Sequence, residues 1–395
     1  MKAYLSALGI GLGHVSRSLT LAKRLKDYGL SVAISSYGDA LKFLKEQGDV
    51  TVFDGGREIS WVMGPYGSPD LIRTLKNVKE IPKFIEHIKV EISNISDFAP
   101  DVVISDSRIS TVIAAKMADI PAVVLLNQPK LLISPLVDEA LYKMIRRFYS
   151  SRMKKIPELI EKALNTAMTT LWAASESALI VDFPPPDNIS KAQTSDLPMR
   201  ILSKATFTGP LIEVSCERTP VEDVILIIVS GPKAERRSLA NDLRSMSKEL
   251  AGAFPEYRIV ISLGEPGSTE VIEEGNLTIY GWLPHDKKWE YISRASLIVS
   301  RAGHTTISEA LLCGKPLVLI PTPKHTEKME NAKSVHSKGL GKIVKQEDVR
   351  RELIQAIRSV LSDHRMKERV LNFMRRYEEW DFLDRAVGPI LSSMR

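Results

Sequence analysis

The sequence predicts an α/β protein built from two doubly wound domains, each a parallel sheet with helices on both faces. Three observations predict it. Short β-rich apolar runs alternate with longer amphipathic runs along the 395 residues, which is the pattern of strand–helix–strand units. The series occurs twice. Between the two series lies a stretch rich in Pro and polar residues, from Pro184-Pro185-Pro186 to Thr208-Gly209-Pro210, suited to a linker. Two such domains place the carboxyl ends of their strands, and with them their ligands, at a cleft between them.

The first series of candidate strands is Ala3–Leu8, Ser31–Ser35, Val50–Phe53, Val102–Ser105 and Val123–Asn127. The second is Val224–Val229, Arg258–Leu263, Leu277–Tyr280, Leu297–Val299, Leu317–Ile320 and Lys342–Val344. A hydrophobic content of 44% with 26% charged residues is that of a soluble globular chain. The longest apolar run, Val224–Val229, is far too short to span a bilayer. Met1-Lys2-Ala3-Tyr4-Leu5 leads straight into a strand and lacks the pattern of a signal peptide, so a cytoplasmic location is expected. Two cysteines, Cys216 and Cys313, make no disulfide framework, and no Cys/His cluster has metal-ligand spacing. A net charge of +6 favours an acidic partner.

The first loop, Gly9-Ile10-Gly11-Leu12-Gly13-His14-Val15-Ser16-Arg17, sits between a strand and an amphipathic helix. Its glycines let backbone approach a ligand, but a dinucleotide fingerprint also needs an acidic residue at the end of the second strand. Here that strand ends Ser35-Ser36-Tyr37, which sets a dehydrogenase aside, and no Gly-Lys-Ser/Thr signature marks a Walker loop. His14 at a helix start can serve as a base or bind an anion; capping the helix is its ordinary alternative. Asp106 ends the strand next door, where it either meets His14 or caps the helix beginning near Ser110. From Tyr142 to Lys155, Lys143, Arg146, Arg147, Arg152, Lys154 and Lys155 stand with Leu141, Met144, Ile145 and Phe148 at helical spacing. That pattern suits a helix on an anionic membrane surface and equally a solvated face of a core helix.

In the second half, Ser300-Arg301-Ala302-Gly303-His304-Thr305-Thr306 follows the apolar run Leu297–Val299 and opens a helix. A small-residue turn there leaves backbone N–H groups and the helix dipole aimed at a phosphate. Glu309, about one and a half turns into that helix, lies where a carboxylate reaches past a phosphate to a ribose hydroxyl. Ser230-Gly231-Pro232 follows the strongest apolar strand and adds a second turn. Gly281-Trp282-Leu283-Pro284 can wall in a flat base, although most Trp side chains are core. Polar residues at 322–332, among them His325, Glu327, Lys328 and Asn331, follow the next strand.

Together these motifs resemble the nucleotide-sugar glycosyltransferases of the GT-B architecture, in which two Rossmann-like domains face a cleft. The closest likeness is to the group containing the bacterial N-acetylglucosaminyl transferase of peptidoglycan lipid synthesis and its archaeal relatives. It covers nearly the whole chain and is most specific from Gly281 to Ala332. The resemblance implies an N-terminal acceptor-side domain at 1–207, a donor domain at 208–366, and a C-terminal segment, 367–395, packed back on the first. It implies that Gly303, Thr305 and Thr306, with His304 and Arg301 beside them, receive the donor diphosphate over Ser230 and Gly231. Glu309 would hold the ribose, Trp282 and Leu283 the base. His14 with Asp106 would be the catalytic pair, and Gly11, Gly13 and Arg17 would form the acceptor-side loop. Where the peptidoglycan enzyme carries a Gln pair reading the donor sugar, this chain has Glu327-Lys328, although Asn331-Ala332 still matches.

The resemblance implies transfer from a nucleotide-diphosphate sugar, expected to be a UDP-sugar, to a hydroxyl acceptor of a lipid-linked or other class. No metal, cofactor or nucleic acid is expected to take part. Loop Gly55–Ser68, with Arg57, Trp61 and Tyr66, would form the acceptor site. A nucleotide-sugar 2-epimerase, which uses the same fold, and a non-catalytic sugar-nucleotide-binding subunit remain alternatives at this point.

Overall fold

A computed structural model describes residues 1–9, 11–57, 80–130, 132, 156–217 and 223–394. The Tyr142–Lys155 stretch and the candidate acceptor residues Trp61 and Tyr66 lie outside the described residues. The chain divides into two compact units. One comprises the described residues up to Ile212 together with those from Asp381 on; the other is Glu213–Trp380.

The first unit is a seven-stranded parallel sheet of β1 (Lys2–Ala7), β2 (Ser31–Ser36), β3 (Thr51–Asp54), β4 (Val102–Asp106), β5 (Ala122–Leu126), β6 (Ser177–Ile180) and β7 (Ala205–Phe207). The strand order is β3-β2-β1-β4-β5-β6-β7, so the winding reverses between β1 and β4. The central strands are buried on both faces, which is why they read as unbroken apolar runs rather than alternating ones. Ala3, Leu5, Ile34, Ile104, Val123 and Leu125 form the core of one face with helix Gly13–Asp27 and the last helix, Phe382–Ser392.

The second unit repeats the plan with β8 (Val224–Ile228), β9 (Arg258–Ser262), β10 (Val271–Glu274), β11 (Leu277–Tyr280), β12 (Ala295–Ser300), β13 (Leu317–Leu319) and β14 (Gly341–Ile343). Their order is β10-β11-β9-β8-β12-β13-β14, and the winding reverses between β8 and β12. All pairings are parallel except β10 with β11.

Two expectations are corrected here, and one pairing is added. The region Pro184–Pro210 is not a linker but part of the first unit, because the buried Asp182 carboxylate accepts hydrogen bonds from the backbone N–H groups of Phe183, Ile189 and Ser190. The C-terminal segment does not return to the first unit as a whole. Helix His364–Arg376 belongs to the second unit, where Leu371 and Met374 lie against Gly314, and only the helix from Phe382 belongs to the first. The two cysteines, 97 residues apart, form a disulfide within the second unit, with their Cα atoms 5.8 Å apart. Among the described residues no helix is long and apolar enough to cross a membrane.

Candidate active site

In a doubly wound sheet the helices leaving two neighbouring strands at the winding reversal go to opposite faces, which opens a crevice at the strands' carboxyl ends. Both units place their chemistry there. In the first unit the crevice lies beyond β1 and β4, whose ends are in register, Ala7 against Asp106. Helix Gly13–Asp27 starts on the β1 side without a side-chain cap, and His14 sits in its first turn. Ser107, in the left-handed region at φ 59°, turns the chain away just after β4. The helix that follows is capped at Arg108, so Asp106 does not serve as its cap.

The Asp106 side chain turns into the crevice instead. Its Oδ1 lies 2.8 Å from His14 Nδ1. Arg17 grips the same carboxylate, donating from Nε to Oδ2 at 2.6 Å and from Nη2 to Oδ1, and Ser18 Oγ donates to Oδ2 at 3.2 Å. Arg17 Nη2 also reaches Asn127 Oδ1 at the end of β5, at 3.3 Å. Arg17, named from the sequence as an acceptor-side residue, is thus buried and committed to Asp106. Burial pushes the Asp106 carboxyl up, but the Arg17 and His14 charges and their hydrogen bonds outweigh it and hold the group far below the usual carboxylate range. Arg17 Nη2 also lies 2.9 Å from His14 Nδ1, so Nδ1 either donates to Asp106 or accepts from Arg17; in the tautomer that donates to Asp106, Nε2 is left as an acceptor on a ring that stays partly exposed. Gly11 and Gly13 face open space: a Cβ at either would meet nothing within 4 Å.

A second buried group in this unit escaped the sequence. Arg108 pairs with Glu91 at 2.7 Å, both nearly inaccessible, and donates to Gly55 O at 3.0 Å and to His87 Nδ1 at 3.2 Å. His87 donates from Nε2 to Arg57 O at 2.6 Å. Together they anchor the start of the loop after β3.

In the second unit the crevice lies beyond β8 and β12. Ser230-Gly231 leaves β8 and Arg301-Ala302-Gly303 leaves β12. The two turns adjoin, since the only atom near a Cβ placed on Gly303 is Ser230 Oγ, at 3.8 Å. Protein packing does not require glycine at 303; its bare Cα leaves room above the turn. Gly231, at φ 109°, does need to be glycine, and a side chain there would press on Lys328 Nζ at 3.0 Å and Glu235 Oε2 at 3.1 Å. Ala302 adopts φ 60°, unusual for a residue with a Cβ, and its carbonyl accepts from Asn331 Nδ2 at 3.3 Å. Helix His304–Leu312 begins at Gly303, an N-cap residue with no side chain to accept from the first-turn amides. His304 and Thr306 are buried; Thr305 and Gly303 are partly exposed.

Beneath these turns lies a buried charged cluster that the sequence did not reveal. Glu235 accepts from Lys328 and, at 2.9 Å, from Thr322. Arg301, with no exposed surface, donates to Gln346 Oε1 at 2.5 Å, Thr322 Oγ1 at 2.6 Å and Glu235 O at 3.3 Å. Burial lowers its pKa to about 10, leaving it protonated near neutrality. Burial raises the Glu235 carboxyl, yet Lys328 and His325 outweigh that and bring it down. Burial, then the Lys328 charge, lowers His325. Arg301 therefore places a positive charge under the two turns, while Lys328, which burial lowers against the pull of the Glu235 charge, is tied to that carboxylate. Neither Arg301 nor Lys328 reaches out as a free side chain. Neighbouring Glu327 is half-buried and makes no hydrogen bond or ion pair among the described residues.

Farther along, Trp282 is 37% exposed, while Leu283 is buried. Glu309 is buried, with one oxygen, Oε1, held by Lys288 Nζ at 2.5 Å. Among the described residues its other oxygen, Oε2, has no hydrogen-bond partner. Among the described residues no three His, Cys, Asp or Glu side chains gather as a metal-ligand set.

Comparison with known proteins places this geometry. Residues 226–376 match the glycosyltransferase family 28 C-terminal domain, and residues 1–173 match glycosyl transferase family 1. A protein of Methanosarcina acetivorans described as an uncharacterized glycosyltransferase is 25% identical over 96% of this chain and 95% of its own length. A Thermosipho africanus UDP-N-acetylglucosamine–N-acetylmuramyl-(pentapeptide) pyrophosphoryl-undecaprenol N-acetylglucosamine transferase is 28% identical over 36% of this chain and 40% of its own. Among solved structures, the glycotransferase of kitacinnamycin superposes with a TM-score of 0.66 at 17% identity, over 100% of this chain and 99% of that one. The fold is that of the GT-B glycosyltransferases. Both units match glycosyltransferase family models, the second a family 28 C-terminal domain and the first a family 1 segment.

Proposed function

We propose that the protein transfers a sugar from a UDP-sugar to an acceptor hydroxyl, the second unit holding the nucleotide. The observation that carries this reading is Glu309 Oε2, a buried carboxylate oxygen without a partner among the described residues, in the helix that leaves the β12 turn. A buried carboxylate oxygen left unsatisfied is costly unless a ligand completes it. Its place past the uncrowded turn at Gly303 fits a ribose hydroxyl. The amides at the start of helix His304–Leu312 would take the diphosphate, over the buried Arg301 charge. The exposed Trp282 and the backbone of Leu283 would take the base. Glu327 is the available member of the Glu327–Lys328 pair for reading the sugar, since Lys328 is committed to Glu235. Uridine is the nucleoside in the name of the Thermosipho relative, and the lipid-linked acceptor in that name suggests the acceptor class to try first.

In the reaction the bond from the sugar's anomeric carbon to the β-phosphate oxygen breaks, and the acceptor oxygen bonds to that carbon. The acceptor proton passes to His14 Nε2, with Asp106 stabilising the imidazolium that results. Negative charge gathers on the leaving diphosphate, where fixed N–H dipoles and the buried Arg301 charge stabilise it without a metal. A thermal-shift titration tests the donor site. UDP should raise the melting temperature of the wild type in proportion to the logarithm of its concentration, and Glu309→Ala should lose most of that rise. A wild type whose melting temperature no nucleotide moves at millimolar concentration would remove the reading.

A further inference from the structure

We infer that Lys288 is a specificity-determining residue of the donor site: with Glu309 it reads both hydroxyls of a ribose, so that the enzyme selects ribonucleotide over 2′-deoxyribonucleotide donors. The inference rests on the donor site proposed above. Lys288 lies in helix His285–Arg294, directly after the Trp282–Leu283 segment, and Glu309 lies in the helix on the far side of β12. The Lys288 ammonium donates to Glu309 Oε1 at 2.5 Å and stands 5.5 Å from the Trp289 ring centroid. Its side chain is 24% exposed while that of Glu309 is 5% exposed, so the pair reaches the surface through Lys288 rather than lying wholly in the core.

An ammonium has three N–H donors and no acceptor; an ionised carboxylate has only acceptors. After their mutual bond the pair still offers one buried acceptor, Glu309 Oε2, and the remaining Lys288 donors. A hydroxyl both donates and accepts. A vicinal diol therefore completes the pair, one hydroxyl donating to Oε2 and its neighbour accepting from Nζ. A single hydroxyl completes only half of it.

Charge leads to the same residue. A bare Glu309 carboxylate would repel a nucleoside diphosphate in a site where burial weakens screening. Lys288 cancels that charge and leaves the carboxylate ionised and able to accept. The adjacent Lys287 is instead paired on the solvent side with Glu290 at 2.8 Å.

The test is isothermal titration of UDP and 2′-deoxy-UDP into wild type, Lys288→Met, Lys288→Arg and Glu309→Gln, with melting temperatures measured alongside to confirm folding. The wild type should bind UDP roughly tenfold or more tighter than the deoxy analogue, because a site built around a hydroxyl is left unpaired without it. Lys288→Met should bind UDP more weakly, with the ratio of the two affinities falling toward one, and Lys288→Arg should restore part of the ratio. Equal binding of both nucleotides by the wild type, or an unchanged ratio in Lys288→Met, would overturn the inference while leaving the donor site in place. Failure of the wild type to bind either nucleotide would overturn both.

Discussion

Asp106 holds His14, Arg17 and Ser18 with two oxygens, and its energetics differ from those of a simple His–Asp pair. Arg17 already neutralises the carboxylate, so Asp106 orients His14 more than it charges it. Replacing Asp106 with Asn leaves the buried Arg17 guanidinium without its counter-charge, a loss of about 3–5 kcal/mol for a broken buried pair. The pH dependence follows in sign. The folded-state pKa of Asp106 lies below its unfolded value of about 4, so its stabilisation is present above that value and is lost as pH falls through the range below it. The melting-temperature gap between wild type and Asp106→Asn should be widest above about pH 5 and narrow progressively as pH falls below about 4, as calorimetry across pH would show. His14 and Asp106 were legible because each stands just past an apolar strand, where the topology leaves little choice of neighbour. Lys288 was not. Its partner is 21 residues away across a strand, and in sequence it reads as one more charge on a polar helix. Glu235 was hidden for the same reason: a carboxylate in a helix's first turn looks like a dipole partner, while its ammonium lies 93 residues on.

The two turns of the second unit are stiff by construction. Gly231 is fixed by its backbone angle and by Lys328 and Glu235 beneath it; Ala302 is fixed by Asn331. Gly231→Ala should force the Glu235–Lys328 pair to shift, lowering stability by about 1–3 kcal/mol. It should also weaken UDP binding in the same titration, whereas Gly303→Ala, with open space above it, should lose UDP binding at nearly unchanged stability. The elements that carry these turns were visible as long apolar runs. Three strands were missed: Ser177–Ile180, an interior strand only four residues long, and two short edge strands. Ala205–Phe207 is half-buried and three residues long, and Val271–Glu274 is a charged edge strand paired antiparallel through the turn at Gly275. Neither shows the continuous apolar run of a central strand, because neither is covered on both faces.

Across the whole chain, the plan of two doubly wound units was legible from repetition alone, but their membership was not. The first unit is discontinuous. Phe382 packs against Gly209 so closely that a Cβ there would fall 2.2 Å from its ring, and Arg24 binds Asp381 and Asp384 at 3.0 Å each. These contacts link positions far apart in sequence, which no local pattern reports. A chain ending at Trp380 should therefore lose the melting transition of the first unit, or show it at a clearly lower temperature, while the transition of the second unit stays where it was in differential scanning calorimetry.

The same discontinuity sets an order on synthesis. As the chain leaves the ribosome, the first sheet emerges early yet lacks the helix that covers Leu25 and Leu211, and it waits until the residues near Ile390 have been made. The second unit, begun later, is complete sooner. For the time taken to translate everything between, on the order of ten seconds or more, the half bearing His14 stays open, and the half built around Glu309 is the first to be whole.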